Sequence, residues 1–216
     1  MILRTILMAG LLGTCAVNAW GTAANPDQTP LRKALEKHLS KEGNVCLGKF
    51  DWPIDVSEQD FKLATRDARQ MPVLEKLGLV SSSDASVQRV RDEVQETVAV
   101  KRYQLTDAGR KFYIDKDEMT EGVGGGMVEH HKDFCAVKLR LDKIIRADET
   151  TATDNTKQAT LTYTYRVVTA ASWIHDPEAQ KVFPMIDRVI KGERNMELEQ
   201  RMRLGKDGWV AVGRTD

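Results

Sequence analysis

Thr160-Leu161-Thr162-Tyr163-Thr164-Tyr165-Arg166-Val167-Val168 is the stretch that decides the fold class. Leu161, Tyr163, Tyr165 and Val167 fall on one side, the period-two pattern of a strand with one face in a core. Upstream, Cys135, Val137, Leu139 and Leu141 alternate with Ala136, Lys138 and Arg140, and Ile144-Ile145 follow. Downstream, Asp176-Pro177 opens a helix carrying Ala179, Val182, Phe183, Ile186, Val189 and Ile190, ended at Gly192 and kinked or broken at Pro184. Met196, Leu198, Gln200, Met202 and Leu204 then face one way, with Glu197, Glu199, Arg201 and Arg203 the other. Gly205-Lys206-Asp207-Gly208 turns the chain into Trp209-Val210-Ala211-Val212. Strand, strand, helix, strand, strand over 133–216 predicts a twisted antiparallel sheet with one helix across a face, in an α+β chain.

Residues 27–117 mix helices and strands. Thr29 can cap a helix with Pro30 in its first turn, and Leu31, Leu35 and Leu39 recur on one face until Gly43. Cys46 to Pro53 reads as a short extended segment. Ser57 with Asp60 suggests a second N-cap, and the helix it opens carries Phe61, Leu63, Ala64 and Ala68. A further helix from Met71 ends at Gly78 in the left-handed cap position. Ser81 to Ser86 reads as polar turn, Val87–Val90 and Glu96–Leu105 as a hairpin with Asp92-Glu93 near its tip. A short helix capped by Thr106 follows. Gly122, Gly124, Gly125 and Gly126 mark 118–132 as a flexible linker between the two halves. A phosphate cradle is not expected there, since no Lys-Ser/Thr follows the glycines.

The run from Leu74 to Val80 (LEKLGLV), the charged hairpin and the run from Tyr103 to Tyr113 (YQLTDAGRKFY) resemble winged helix-turn-helix domains over about residues 30–115. The resemblance implies a winged-helix-like first half, with Leu74, Leu77 and Leu79 packing a helix on the hairpin and Leu105 closing the core. It speaks weakly for DNA binding. Phe61 to Gln70 mixes Lys62, Arg66 and Arg69 with Asp60 and Asp67, whereas a groove-reading helix shows a one-sided basic face. The whole chain also resembles exported proteins of Gram-negative bacteria, through Cys46–Pro53 (CLGKFDWP), Tyr103–Tyr113, Phe134–Ile144 (FCAVKLRLDKI) and Thr162–Val167 (TYTYRV). That resemblance implies an envelope location and supports pairing the cysteines. It carries over no catalytic residue.

Residues 1–19 read as a signal peptide. Arg4 supplies the positive start, an apolar stretch begins at Ile6, and Val17-Asn18-Ala19 offers the small residue a signal peptidase needs. Cleavage after Ala19, or nearby after Ala23, gives a periplasmic protein. Acylation at Cys15 in Leu12-Gly13-Thr14-Cys15 would give a membrane-anchored lipoprotein instead, and an uncleaved anchor is the third reading. Thr14 is bulkier than the Gly or Ala usual before an acylated cysteine. Cleavage after Ala19 leaves 197 residues, enough for a core without dense disulfide stapling. The chain has 32 basic and 32 acidic residues. Without Arg4 the charge becomes −1, which argues against a nucleic-acid partner. A membrane enters only with a lipid on Cys15.

Removing the leader leaves Cys46 and Cys135, an even number in an oxidising compartment, so a disulfide between them is expected. It would close a loop of about 90 residues, for roughly 4–5 kcal/mol in the chain-entropy account. No Cys-x-x-Cys pair suggests redox work.

Glu129-His130-His131-Lys132-Asp133 is the one cluster with metal-ligand residue types, making His130, His131 and Asp133 the candidate ligands. Neighbours on a strand point apart, so a solvated flank is the plainer reading and neither metal nor cofactor is expected. A disulfide would take Cys135 from any Cys/His pair, and no carboxylate pair stands out. No catalytic residue is assigned. Trp173, at a strand-to-helix passage, is the candidate for the rim of a pocket or a partner contact. The leading expectation is a non-catalytic envelope protein that binds another envelope protein or a small ligand. The alternatives are an envelope enzyme or metal-dependent hydrolase using the His130/His131 region, and a DNA-binding regulator.

Overall fold

The structure is a computed structural model that describes residues 29–91, 94–122 and 124–213. The leader, its cleavage points, Cys15 and the Asp92-Glu93 tip lie outside the described residues. The chain is mixed α+β with mostly antiparallel sheet. Helix α1 (Thr29–Glu42) leads into β1 (Asn44–Cys46) and β2 (Ile54–Ser57). Ser57 closes a capping box with Asp60 and starts α2 (Glu58–Lys62). The helix expected to run on through Ala68 stops, because Ala64 takes φ 49° and Thr65 caps a new helix, α3 (Arg66–Lys76). Gly78, at φ 72°, makes the left-handed exit.

Strands β3 (Val80–Arg91) and β4 (Val94–Leu105) then pair residue for residue from Val80↔Leu105 to Arg91↔Val94. The serines of 81–86, expected as turn, are strand: ladder pairing with β4 overrides their local preference. Thr106 caps the single turn α4 (Asp107–Arg110), its hydroxyl accepting from the Gly109 N–H at 3.1 Å and donating to the Gly78 carbonyl at 2.7 Å.

The segment 118–132, expected as a flexible linker, is a hairpin instead. Strand β5 (Tyr113–Glu121) pairs with the start of β6 (Met127–Thr151) from Tyr113↔Phe134 to Glu121↔Met127. Its glycines form the turn, Gly122 N–H donating to the Gly126 carbonyl at 2.7 Å, with Gly124 and Gly125 at φ 103° and 85°. Charged side chains across the two strands, such as Lys132 with Asp115 at 3.4 Å, suit an exposed ladder.

Strand β7 (Lys157–Ala170), α5 (Pro177–Val182), α6 (Pro184–Lys191), β8 (Leu198–Gly205) and β9 (Gly208–Ala211) complete the chain. The helix expected from Asp176-Pro177 to Gly192 is broken, not kinked, at Phe183-Pro184, where proline has no N–H to continue the first piece. The large sheet runs β1-β6-β7-β8-β9, with β5 on another part of β6, and the small one β2-β4-β3. Among the described residues no helix is long and apolar enough to cross a membrane.

Two clusters make the core. Leu31, Leu35 and Leu39 of α1 pack with Leu141, Ala159, Leu161, Tyr163 and Met202 of the large sheet. Each fully buried leucine contributes roughly 1.5–3 kcal/mol. The other cluster joins α3 and the small sheet (Met71, Leu74, Tyr103) to β6, β7, α5 and α6 (Phe134, Tyr165, Ala179, Phe183, Ile186). Cover on both sides explains why every residue from Leu161 to Tyr165 is buried, the threonines included. Tyr165 Oη donates to the Val189 carbonyl at 2.8 Å, tying α6 to β7.

His38 sits half-buried on α1, near Gln200, Glu42 and Lys116. Burial holds its pKa below the ordinary 6.5, against the pull of Glu42. The unfolded chain therefore binds its proton first, and this contribution is fully present above 6.5 and lost as pH falls through the folded value. Melting temperature in the wild type should drop on acidification below about pH 6.5, and His38→Gln should flatten that part of the profile. Identical profiles for the two proteins would refute this origin.

Candidate functional site

The site begins with a loop fixed from two sides. The Leu47 N–H donates to the Phe134 carbonyl at 2.8 Å. The Asp133 carboxylate accepts from Gly48 N–H at 3.1 Å, Lys49 N–H at 2.7 Å and Phe134 N–H at 2.6 Å. Burial still raises the Asp133 pKa, with those three donors opposing it. From the other side, the Arg66 guanidinium donates to the Leu47 carbonyl, and Lys49 Nζ pairs with Asp67. Lys49 is only 3% exposed, and burial pulls its ammonium below the usual lysine range despite Asp67. Gly48 takes φ 64°, the left-handed region that a side chain disfavours, beside the Arg66 guanidinium. Loop 46–49 and the first turns of α3 are thus one unit.

Helix α3 packs on α5, and a cleft of about 310 Å³ opens beside the loop at Cys46 and Leu47. Cys46 and Leu47 line it, with Arg66, Arg69 and Gln70 of α3 on one wall and Lys181 to Ile186 of α5 and α6 on the other. The helix break builds that second wall. Pro184 has no N–H, and Ile186 N–H bonds the Phe183 carbonyl, so the Val182 carbonyl has no donor within its helix. Gln70 Nε2 supplies one at 3.0 Å, from a side chain 7% exposed. That bond fixes the amide orientation and leaves Gln70 Oε1 buried without a partner among the described residues. Lys76 and Glu178, 2.7 Å apart but exposed, add little to this join.

The lining is amphipathic. Val182, Phe183, Pro184, Met185 and Ile186 offer apolar surface, with Met185 50% exposed. Arg66, Arg69 and Lys181 supply three cations, and among the described residues no carboxylate lines the cleft. Arg66 is occupied by the Leu47 carbonyl. Arg69 and Lys181 make no ion pair among the described residues.

The residues singled out in the sequence lie elsewhere, apart from one cysteine. Cys46 and Cys135 are register partners of β1 and β6 with their sulfurs at bonding distance, and Cys46 reaches the cleft. His130 stacks on Phe50 with centroids 4.2 Å apart, one ring nitrogen 3.0 Å from Thr120 Oγ1 and the other 3.4 Å from Asp51. His131 is exposed beside Asp117, whose carboxylate raises its pKa. Asp133 spends its oxygens on backbone N–H groups. These three do not converge, and no group of three His, Cys, Asp or Glu side chains among the described residues could hold a metal ion. Trp173 is buried, 7% exposed, against Phe112, Phe134 and Phe183 at 5.9–6.1 Å, behind the cleft rather than on its rim. Its indole N–H has no partner among the described residues.

Arg66 and Arg69 were visible in the sequence only as part of a helix weighed for DNA. Gln70 and Lys49 were not singled out. Gln70 carried a signal of its own, a polar residue on the helix stripe shared with Met71 and Leu74. No family model matches this chain, and neither the curated proteins nor the solved structures contain a match to it.

Proposed function

We propose that this chain is a non-catalytic exported envelope protein, periplasmic or tethered through Cys15, that binds a small ligand in the cleft between α3 and α5–α6. The observation that carries this reading is the cleft itself, concave, mostly apolar and edged by cations without acidic partners. The cysteine pair at bonding distance fits an oxidising compartment. The first half, about residues 30–115, is winged-helix-like in our reading through the strand, two helices and hairpin of 54–105, with the sheet ordered β2-β4-β3. In that reading α3 holds the recognition-helix position, yet α5 packs on it and Gln70 hydrogen-bonds into that helix. A helix so covered is poorly placed for a major groove, which weighs against DNA as the partner. The hydrolase reading loses support because His130, His131 and Asp133 have separate engagements.

Amide shifts of labelled protein titrated with a library of small apolar and anionic fragments test the reading. The shifts should concentrate at 46–47, 66–70 and 181–186. A response concentrated elsewhere, or none at saturating fragment, would remove the cleft as the binding site.

A further inference from the structure

We infer that the ligand of this cleft is a small amphipathic carboxylate, an anionic head on a single apolar chain; this rests on the cleft being the binding site. The charge pattern selects the sign of the head. Among the described residues three cations and no acid line the walls, in a chain whose formal charge totals zero, so the imbalance belongs to this site and not to the protein as a whole. With Arg66 already donating to the Leu47 carbonyl, Arg69 on α3 and Lys181 at the end of α5 are the two cations left for an anion. They come from opposite walls, so one carboxylate held between them would bridge the two helices. An arginine and a lysine suit that role, one as a planar donor fork and the other as a mobile point charge.

The apolar wall selects the rest of the molecule. Val182, Phe183, Met185 and Ile186 follow one another across the helix break. Phe183 and Ile186 are fixed in the core, while Met185 projects into solvent and can fold over a chain laid beside it. The volume, about 310 Å³, lies at the low end for small-ligand sites, which fits one short chain. A fully polar anion such as phosphate would leave the apolar wall uncovered. A neutral alcohol would leave Arg69 and Lys181 uncompensated.

Calorimetric titration with sodium decanoate, 1-decanol and decyl phosphate, paired with amide-shift mapping, tests the assignment. Decanoate should saturate one site whose shifts fall at 66–70 and 181–186, and 1-decanol should bind at least about tenfold more weakly, the loss expected when a charge-assisted hydrogen bond is missing. The double variant Arg69→Ala/Lys181→Ala should weaken decanoate about tenfold or more while leaving 1-decanol unchanged. Both side chains are exposed, so its melting temperature should match the wild type; Lys181→Glu provides a second variant with the same expectation. Equal binding of decanoate and decanol at these residues would overturn the anionic head and leave the cleft as an apolar site. Tighter binding of decyl phosphate than decanoate would overturn the carboxylate in favour of a phosphate head. If no probe shifts the cleft residues, this inference falls, and the fragment titration decides independently whether the cleft itself survives.

Discussion

Replacing Cys46 and Cys135 together with alanine should lower the unfolding free energy by about 4 kcal/mol. The two cysteines are 89 positions apart, and for a loop of that length the chain-entropy account gives roughly 4–5 kcal/mol, less any strain released. Substituting both avoids a lone thiol, and alanine keeps the small volume at a site where Cys135 is buried and Cys46 half-buried. Denaturant midpoints of wild type and double variant measure the difference. Wild type unfolded in excess reductant should move to the midpoint of the variant. Intact mass of the wild type before and after reduction and alkylation supplies the covalent side, with two alkylation sites appearing only after reduction. Coincident midpoints, or two sites alkylated before reduction, would refute the cross-link.

The second large effect belongs to Phe134→Ala, for which about 3–5 kcal/mol of destabilisation is expected. Phe134 is fully buried, with Trp52, Phe112 and Trp173 around it at ring-centroid distances of 6.3, 5.8 and 6.1 Å. Trp173 extends the cluster to Phe183 at the helix break. Two indole N–H groups in this cluster, on Trp52 and Trp173, have no partner among the described residues. Equilibrium unfolding followed by tryptophan fluorescence measures the loss, and Phe134→Leu, which refills much of the volume, should recover most of it. An alanine variant within 1 kcal/mol of wild type, as an order-of-magnitude bound, would mean the aromatic cluster is not a tightly packed core.

The second half of the chain was largely legible. Strand alternation at 134–141 and 160–168 is local, the Gly205–Gly208 turn is a chemical signal, and Pro184 announced the helix break. What local signals could not give was partnership. The leucines of α1 declare an apolar face without saying which surface covers it, and they lie on the large sheet rather than on the hairpin half beside them in sequence. Gly122, Gly124, Gly125 and Gly126 mark flexibility or a turn equally well, and the choice was made by the pairing of 113–121 with 127–134. The serines of β3 became strand for the same reason. The cleft was least legible of all. Its walls come from positions 46–47, 66–70 and 181–186, and Gln70 meets Val182 across 112 residues. Metal-type residues cluster in sequence at 129–133, but strand geometry separates them.

The position of α1 also bears on how the chain is made. This helix leaves the ribosome well before the residues that cover its leucines, which include Leu161, Tyr163 and Met202. Until then a helix with an apolar stripe has nothing of its own to lie on. The neighbouring strand β1 waits as well, since its partner on β6 is some 90 residues away. A truncation that removes β8 therefore uncovers the α1 leucines as well, a loss for the start of the described chain as much as for the strand itself.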